Sequence, residues 1–294
     1  MGAQAKREER YFYLFISPWL VGFLVFTAIP ILASVYFSFT RYDVIQPPRW
    51  IGAENYVTVV HEPLFWQSLK VTTYYSLGSV TLGIIASLAI AIILNRNIQG
   101  VAFYRTLFYL PAVISGVAVS LLWMWIFNPE FGVLNYLLWK LFRIRGPAWL
   151  FSETWVIPAL IIMSLWSIGG GIVIYLARLQ SIPTELYEAA EIDGAGAWRR
   201  VRSITLPMMT PVIFFNLIVG IIGSFNVFTP AYVMTRGGPH NGSLVYLYLL
   251  YRNAFEYYKM GFASALAWIL FVILLLLTLL VFATSSRWVY YEAE

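Results

Sequence analysis

The chain has 294 residues, of which 60% are apolar and 18% aromatic, while only 11% are charged. Soluble domains carry charge on roughly a quarter of their residues, so this composition excludes an ordinary soluble protein and predicts a surface that faces lipid. Cysteine is absent and only two histidines are present, which excludes disulfides, structural zinc and cysteine nucleophiles. The net charge of +5 could suggest nucleic acid, but Lys and Arg occur in short clusters between apolar segments, as they do beside membrane spans. We therefore expect contact with membrane lipid and not with nucleic acid.

Six apolar stretches are long enough to cross a membrane, because a helix needs about 20 residues to span roughly 30 Å of hydrocarbon. Uninterrupted runs such as residues 269–280 lack the alternation of barrel strands, so they predict helices. The predicted spans are 12–40, 68–94, 106–127, 155–177, 208–230 and 262–284. The predicted fold class is an all-α membrane protein with about six transmembrane helices, flanked by segments 1–11 and 285–294.

The side on which the termini lie is predicted from the basic residues of the loops. An even number of spans puts both termini on one side of the membrane. That side carries ten Lys and Arg residues, and the opposite side carries nine. This near-tie decides nothing, but the short basic loops 95–105 and 178–207 favour a cytoplasmic terminal side. The apolar run after residue 11 is too long for a signal peptide and is taken as the first span.

Asp, Glu, His, Lys and Arg are absent from the predicted spans, apart from Lys70 at an edge. Carriers driven by protons usually need such groups in the membrane, although a sodium-driven carrier is not excluded. The spans also lack the acid, base and nucleophile sets of an intramembrane enzyme. We therefore expect a chain without catalytic residues.

Three glycines, residues 169–171, interrupt the fourth span near its middle. They could form a break that lines a path or allow close helix packing, and packing is the preferred interpretation.

The polar segment 178–207 predicts two short helices with a bend between them. Pro183 suits a first helical turn, Glu185 and Glu188 complement a helix start, and Gly194 can adopt the left-handed backbone that ends a helix. The second helix is expected to run from about residue 197 and to stop before Pro207. The first helix could be an ordinary solvated loop helix or one that fits into the groove of a partner protein.

A fixed-spacing motif in this segment favours the partner-binding interpretation. Glu188-Ala189-Ala190, three residues, Gly194, nine residues and Ile204-x-Leu206-Pro207 resemble the cytoplasmic loop signature of permease subunits of binding-protein-dependent ABC importers. The resemblance covers nearly the whole chain and narrows to the carbohydrate-uptake type 1 branch, on segments 182–195, 235–239 and 260–265 and on Ser17-Pro18. Within that branch the chain is similar to the first permease of maltose-type importers, although it has six spans and no large insert.

The resemblance implies a subunit that forms half of a translocation path in the inner membrane of a bacterial or archaeal cell. The implied partners are a second homologous permease, two copies of an ATP-binding subunit and an extracellular or periplasmic binding protein. No cofactor is expected in this chain, which lacks a Gly-x-x-x-x-Gly-Lys-Ser/Thr loop, so ATP and Mg would be bound by the partner ATPase. The residues expected to couple the two chains are Glu188, Ala189, Ala190, Asp193, Gly194, Ile204, Leu206 and Pro207.

Candidate substrate contacts lie in and just after the fifth span, where amide, hydroxyl and aromatic side chains could bind a sugar. They are Asn216, Ser224, Phe225, Asn226, Phe228 and Tyr232. The alternative is that these small polar residues join helices to each other, with the main substrate contacts on the partner permease.

The sequence leaves the transported solute open. A neutral disaccharide, a longer oligosaccharide, a polyol or a phosphorylated polyol would fit. An importer permease for a non-sugar solute remains an alternative, and an ion-coupled secondary carrier is a more remote one.

Overall fold

A computed structural model describes residues 3–96 and 99–290. In this part of the chain the only strands are β1 (Thr40–Arg41) and β2 (Arg49–Trp50), which pair antiparallel; the rest of the regular structure is helical. Four helices are long and apolar enough to cross a membrane, and the count rises to six if each of two bent pairs is one span. The expected all-α membrane fold is confirmed.

Helix bounds in the first part of the chain follow the apolar pattern. The helices are α1 (Ala3–Phe23), α2 (Ile29–Ser38), α3 (Glu54–His61), α4 (Pro63–Leu94), α5 (Val101–Val113), α6 (Gly116–Ile126) and α7 (Val133–Phe142). A π turn, Leu24–Ala28, joins α1 to α2, so these two form the first long apolar helix. The predicted second span and α4 both end at Leu94.

The second part of the chain contains the remaining helices. They are α8 (Val156–Leu165), α9 (Gly169–Gln180), α10 (Thr184–Ile192), α11 (Ala197–Arg200), α12 (Leu206–Phe225), α13 (Tyr246–Tyr251) and α14 (Met260–Ser285). Further π turns cover Val201–Thr205, Ala231–Thr235 and Arg252–Glu256.

The chain divides into two compact units. Of the described residues, one unit contains those up to Glu62 together with Leu250–Val272, and the other contains those of Pro63–Leu249 together with those from Ile273 onward. In the first, the buried Asn55 amide donates to the carbonyls of Ser38 and Thr40, both at 2.9 Å, and thereby holds α3 against the end of α2. In the second, α4 packs against α8, α9 and α12.

The third and fourth predicted spans are bent; the sequence interpretation did not expect the first bend and kept a break at the three glycines of the fourth span as the less preferred alternative. Helices α5 and α6 meet at 100°, because Ile114 and Ser115 adopt extended backbone. Pro111 in the last turn of α5 lacks an amide hydrogen, which weakens that helix end. Helices α8 and α9 meet at 45°, just before the three glycines, which are poor helix formers.

The fifth span also departs from its predicted bounds. The expectation that the second coupling helix stops before Pro207 is wrong, because one continuous helix runs from Ala197 to Phe225. The amide of Leu206 bonds to the carbonyl of Val201, five residues back, and this wider turn reduces the clash of the proline ring with the preceding turn. The helix ends at Phe225, five residues earlier than expected, ahead of Pro230.

Candidate functional site

The coupling segment, residues 184–207, contains a helix, a glycine-dependent turn and a second helix. Helix α10 begins directly after Pro183 and ends at Ile192, two residues before Gly194, where φ is +72°. The amides of Gly194 and Ala195 bond to the carbonyls of Glu191 and Ala190, at 3.0 and 2.8 Å, and these bonds close the helix end. The predicted left-handed glycine is confirmed.

The first half of the signature lies on an exposed surface. The Glu188, Ala189 and Asp193 side chains are exposed, and Ala190 is half-buried. Two apolar side chains beside them are also uncovered: Ile192 is 88% exposed and Trp198 is 75% exposed. A small-residue helix face with acidic and bulky apolar neighbours can pack closely against another protein.

The second half of the signature anchors the segment. Ile204 and Leu206 pack on the buried cluster of α4, α9 and α12 that includes Tyr175 and Met209. Pro207 is half-buried within the continuous helix. The motif therefore combines an exposed surface with a fixed attachment to the helices of the span region.

Side-chain bonds join α10 to the start of the continuous helix Ala197–Phe225, called the long helix below. The Tyr187 and Thr205 hydroxyls are 3.0 Å apart, and Arg200 forms an ion pair with Glu191. The Arg178 Nε donates to the carbonyl of Met208 at 3.2 Å, which ties the end of α9 to α12. These contacts therefore attach α10 and the end of α9 to the helix of the fifth span.

A cavity of about 400 Å³ lies between α4, α8, α9 and α12. Of the predicted substrate contacts, Asn216 and Ser224 line it. Its other polar lining groups are Tyr75, Ser79, Ser87, Ser164, Ser167 and Tyr175. The buried Tyr175 hydroxyl has no hydrogen-bond partner among the described residues, and no lining side chain is charged. The cavity thus offers neutral hydroxyl and amide groups to a polar solute.

Of the two predicted residues in this cavity, Ser224 also joins two helices, whereas Asn216 bonds within its own helix. The Ser224 hydroxyl lies 2.6 Å from that of Ser76 on α4, and the Asn216 amide donates to the carbonyl of Val212 at 2.9 Å. Both interpretations made from the sequence, polar lining and helix contact, therefore apply to Ser224. The lining serines of α4 were missed, although Ser79, Gly83 and Ser87 at four-residue spacing mark one face of a helix.

The other predicted contacts do not line this cavity. Phe225 is buried, and Asn226 is exposed with its amide donating to the carbonyl of Ile222 at 2.8 Å. The rings of Phe228 and Tyr232 stack with their centroids 5.2 Å apart, and Tyr248 packs edge-on against both. The structure therefore separates a polar cavity from an aromatic group farther along the chain.

Comparisons with known proteins place these features in a family. Residues 62–289 match the model of the binding-protein-dependent transport system inner membrane component. The chain is 45% identical to the "probable ABC transporter permease protein" YesP of Bacillus subtilis, over 100% of this chain and 98% of that protein. It is 34% identical to the trehalose/maltose transport system permease protein MalF of Thermococcus litoralis, over 93% and 92% of the two chains.

A solved structure gives the same result. A chain of a bacterial alginate ABC transporter, crystallised in complex with an alginate pentasaccharide-bound periplasmic protein, matches with a TM-score of 0.85 and 25% identity over 97% of this chain and 96% of that one. Since the family model covers most of the sequence and the relatives align over nearly their full length, this chain belongs to the family of binding-protein-dependent transport system inner membrane components.

Proposed function

We propose that this chain is the transmembrane permease subunit of an ATP-driven importer and forms half of the translocation path for a sugar or related polyol. Family membership carries this proposal, together with relatives whose names include trehalose, maltose and alginate transport. The uncharged cavity supports it, because hydroxyl and amide groups without a fixed charge suit a neutral solute rich in hydroxyls.

The exposed part of the coupling segment is proposed to dock on an ATP-binding subunit that hydrolyses ATP in place of this chain. Glu188 would pair with a basic residue, while Ala189 and Ala190 permit close approach. Asp193 extends the acidic surface and Gly194 sets the direction of the turn. Ile204, Leu206 and Pro207 belong to the long helix, and the first two pack on the buried cluster. Closure of an ATPase pair would therefore displace that helix as a rigid element.

The aromatic group of Phe228, Tyr232 and Tyr248 is proposed to contact the sugar along the translocation path. Phe228 and Tyr232 offer ring faces to the C–H surfaces of a sugar, and Tyr232 remains 37% exposed. The complete importer would contain a second homologous permease, two ATP-binding subunits and an extracellular or periplasmic binding protein. Both termini and the coupling segment would lie on the cytoplasmic side.

The experiment that tests this proposal is purification of the tagged chain from its native membrane in a mild detergent, with mass identification of everything retained. We expect an ATP-binding subunit and a second permease of the same family. The recovered complex is then reconstituted and assayed for uptake of labelled maltose, trehalose and alginate oligosaccharide, with an amino acid as the non-sugar control. Recovery of the chain alone with uptake intact would contradict the importer assignment, and uptake of the amino acid alone would contradict the sugar assignment.

A further inference from the structure

A second cavity, of about 260 Å³, lies at the base of the coupling segment and is separate from the proposed substrate path. It is bounded by the end of α4, the end of α9, helix α10 and the start of the long helix. Its polar groups come from Asn95, Arg96, Tyr187, Arg200 and Thr205. This cavity shares no lining residue with the one proposed for the substrate path, so its position gives it no role in sugar passage.

The charge of this cavity favours an anion. The Arg96 side chain makes no hydrogen bond or ion pair with any residue that the structure describes, and it is exposed. Arg200 forms an ion pair with Glu191, so the charge of one of the two lining arginines is balanced. The Glu191 side chain itself is 60% exposed. Residues 197–205 contain Arg199, Arg200 and Arg202 and no acidic residue. The lining therefore keeps one uncompensated guanidinium beside a basic segment.

The hydroxyl groups can supply a further donor. The Tyr187 and Thr205 hydroxyls lie 3.0 Å apart, and a bond between them uses one of their two protons. The other proton is free to be donated to an acceptor in the cavity. A phosphate oxygen accepts from guanidinium and hydroxyl donors alike, and charge-assisted bonds of this kind are the stronger ones.

The rest of the lining is apolar and identifies the source of the phosphate. Ile92, Leu179, Ala197 and Val201 form this wall, which a free phosphate ion would not use. Ile92 lies in the last turn of α4, a helix apolar enough to cross a membrane, so the cavity lies where hydrocarbon gives way to headgroups. Basic pockets between membrane helices bind anionic lipid headgroups. We propose that this cavity binds the phosphate of an anionic phospholipid, whose first acyl carbons contact the apolar wall.

A bound lipid would connect α4 to the coupling segment. Its phosphate would bridge Arg96, at the end of α4, and Arg200, at the start of the long helix, in addition to the Tyr187–Thr205 bond. The inference is independent of the transported solute, because lipid retention can be measured without transport.

The test is native mass spectrometry of the complete complex extracted from nanodiscs that contain equal amounts of phosphatidylglycerol and phosphatidylcholine. Phosphatidylglycerol should be retained preferentially by the unmodified protein. Arg96→Gln should reduce its retention roughly fivefold, the effect of about one basic side chain at an anionic lipid surface. Arg96 is exposed and has no described partner, so this variant is expected to fold.

Arg199→Gln is the matched control, because it removes the same charge from an exposed position on α11 that does not line the cavity. Its retention of phosphatidylglycerol should be unchanged. An equal loss in both variants would reduce the effect to general surface charge and overturn the site. Displacement of the lipid by millimolar inorganic phosphate, or equal retention of both lipids, would also overturn the proposal.

Discussion

At Gly194 the backbone conformation, and not the space around the residue, excludes other side chains. Its φ is +72°, yet a Cβ atom at this position would meet nothing within 4 Å. Left-handed backbone costs about 1–2 kcal/mol for most L residues, whereas asparagine tolerates it better. We expect Gly194→Val to shift the turn and to reduce transport per ATP hydrolysed several-fold, while Gly194→Asn keeps most of it. Uptake and ATPase activity of the reconstituted importer measure this ratio.

Gly196, two residues farther, provides the control for this substitution. Its φ is −64°, its ψ is 165°, and a Cβ atom there also meets nothing within 4 Å. Gly196→Val adds the same side chain in backbone that valine readily adopts, so coupling should persist. If Gly194→Val transported as efficiently as Gly196→Val, the turn at Gly194 would have no part in coupling.

Among the elements, α9 depends on one glycine to approach α5. A Cβ atom on Gly169 would overlap the carbonyl oxygen of Phe108 and lie 2.8 Å from the Cα of Tyr109. These are backbone atoms, so the two helices would have to separate. Overpacking of this kind costs about 1–3 kcal/mol, and Gly169→Ala should therefore lower the midpoint of thermal unfolding in detergent.

The adjacent Gly170→Ala separates this effect from helix propensity. A Cβ atom on Gly170 meets nothing within 4 Å, and alanine favours helix over glycine by about 1 kcal/mol. Its unfolding midpoint should equal or exceed that of the unmodified protein. Equal midpoints for the two variants would show that the contact of α9 with α5 is loose. The two variants therefore test, at Gly169, the sequence interpretation that these glycines serve close helix packing. The bend between α8 and α9 precedes Gly169 and is a separate feature.

Local patterns predicted the helices well but not their joins. Gly194 was interpreted correctly because its effect depends on its own backbone angles, and Pro183 stands one residue before the helix whose first turn it was expected to occupy. Pro111 and Pro207 have the opposite outcomes: one stands near a 100° bend, while the other lies inside a continuous helix after a π turn. A proline removes the same hydrogen bond in both places, but a wider turn precedes Pro207, whereas Ile114 and Ser115 leave helical backbone just after Pro111.

The candidate site shows the same limit. Asn216 and Ser224 were singled out as polar residues in an apolar span, and both line the cavity. Asn226 has the same chemistry and, like Asn216, bonds to the carbonyl four residues back, but it follows the end of α12 and is exposed outside the cavity. The serines contributed by α4 lie far away in sequence, so only the packing of α4 against α12 brings them to the same cavity.

For the whole molecule, the distribution of charge determines how transport can be driven. The predicted spans contain no Asp, Glu, His, Lys or Arg apart from Lys70 at an edge, and the cavity lining is uncharged. These residues therefore supply no charged group that could carry a coupling proton, and in the proposed function energy arrives through the coupling segment. We expect sugar uptake by the reconstituted importer to require ATP on the side of that segment.

The measurement is uptake into proteoliposomes loaded with ATP, with a non-hydrolysable analogue in a parallel sample and with proton or sodium gradients imposed or collapsed by ionophores. Uptake should follow ATP hydrolysis and change less than twofold when either gradient is removed. Gradient-driven uptake without ATP would contradict this and favour a secondary carrier. The two gradients are tested separately because the predicted spans and the cavity lining lack the charged groups that a proton-coupled carrier usually needs, whereas the neutral oxygens of the lining could still bind sodium.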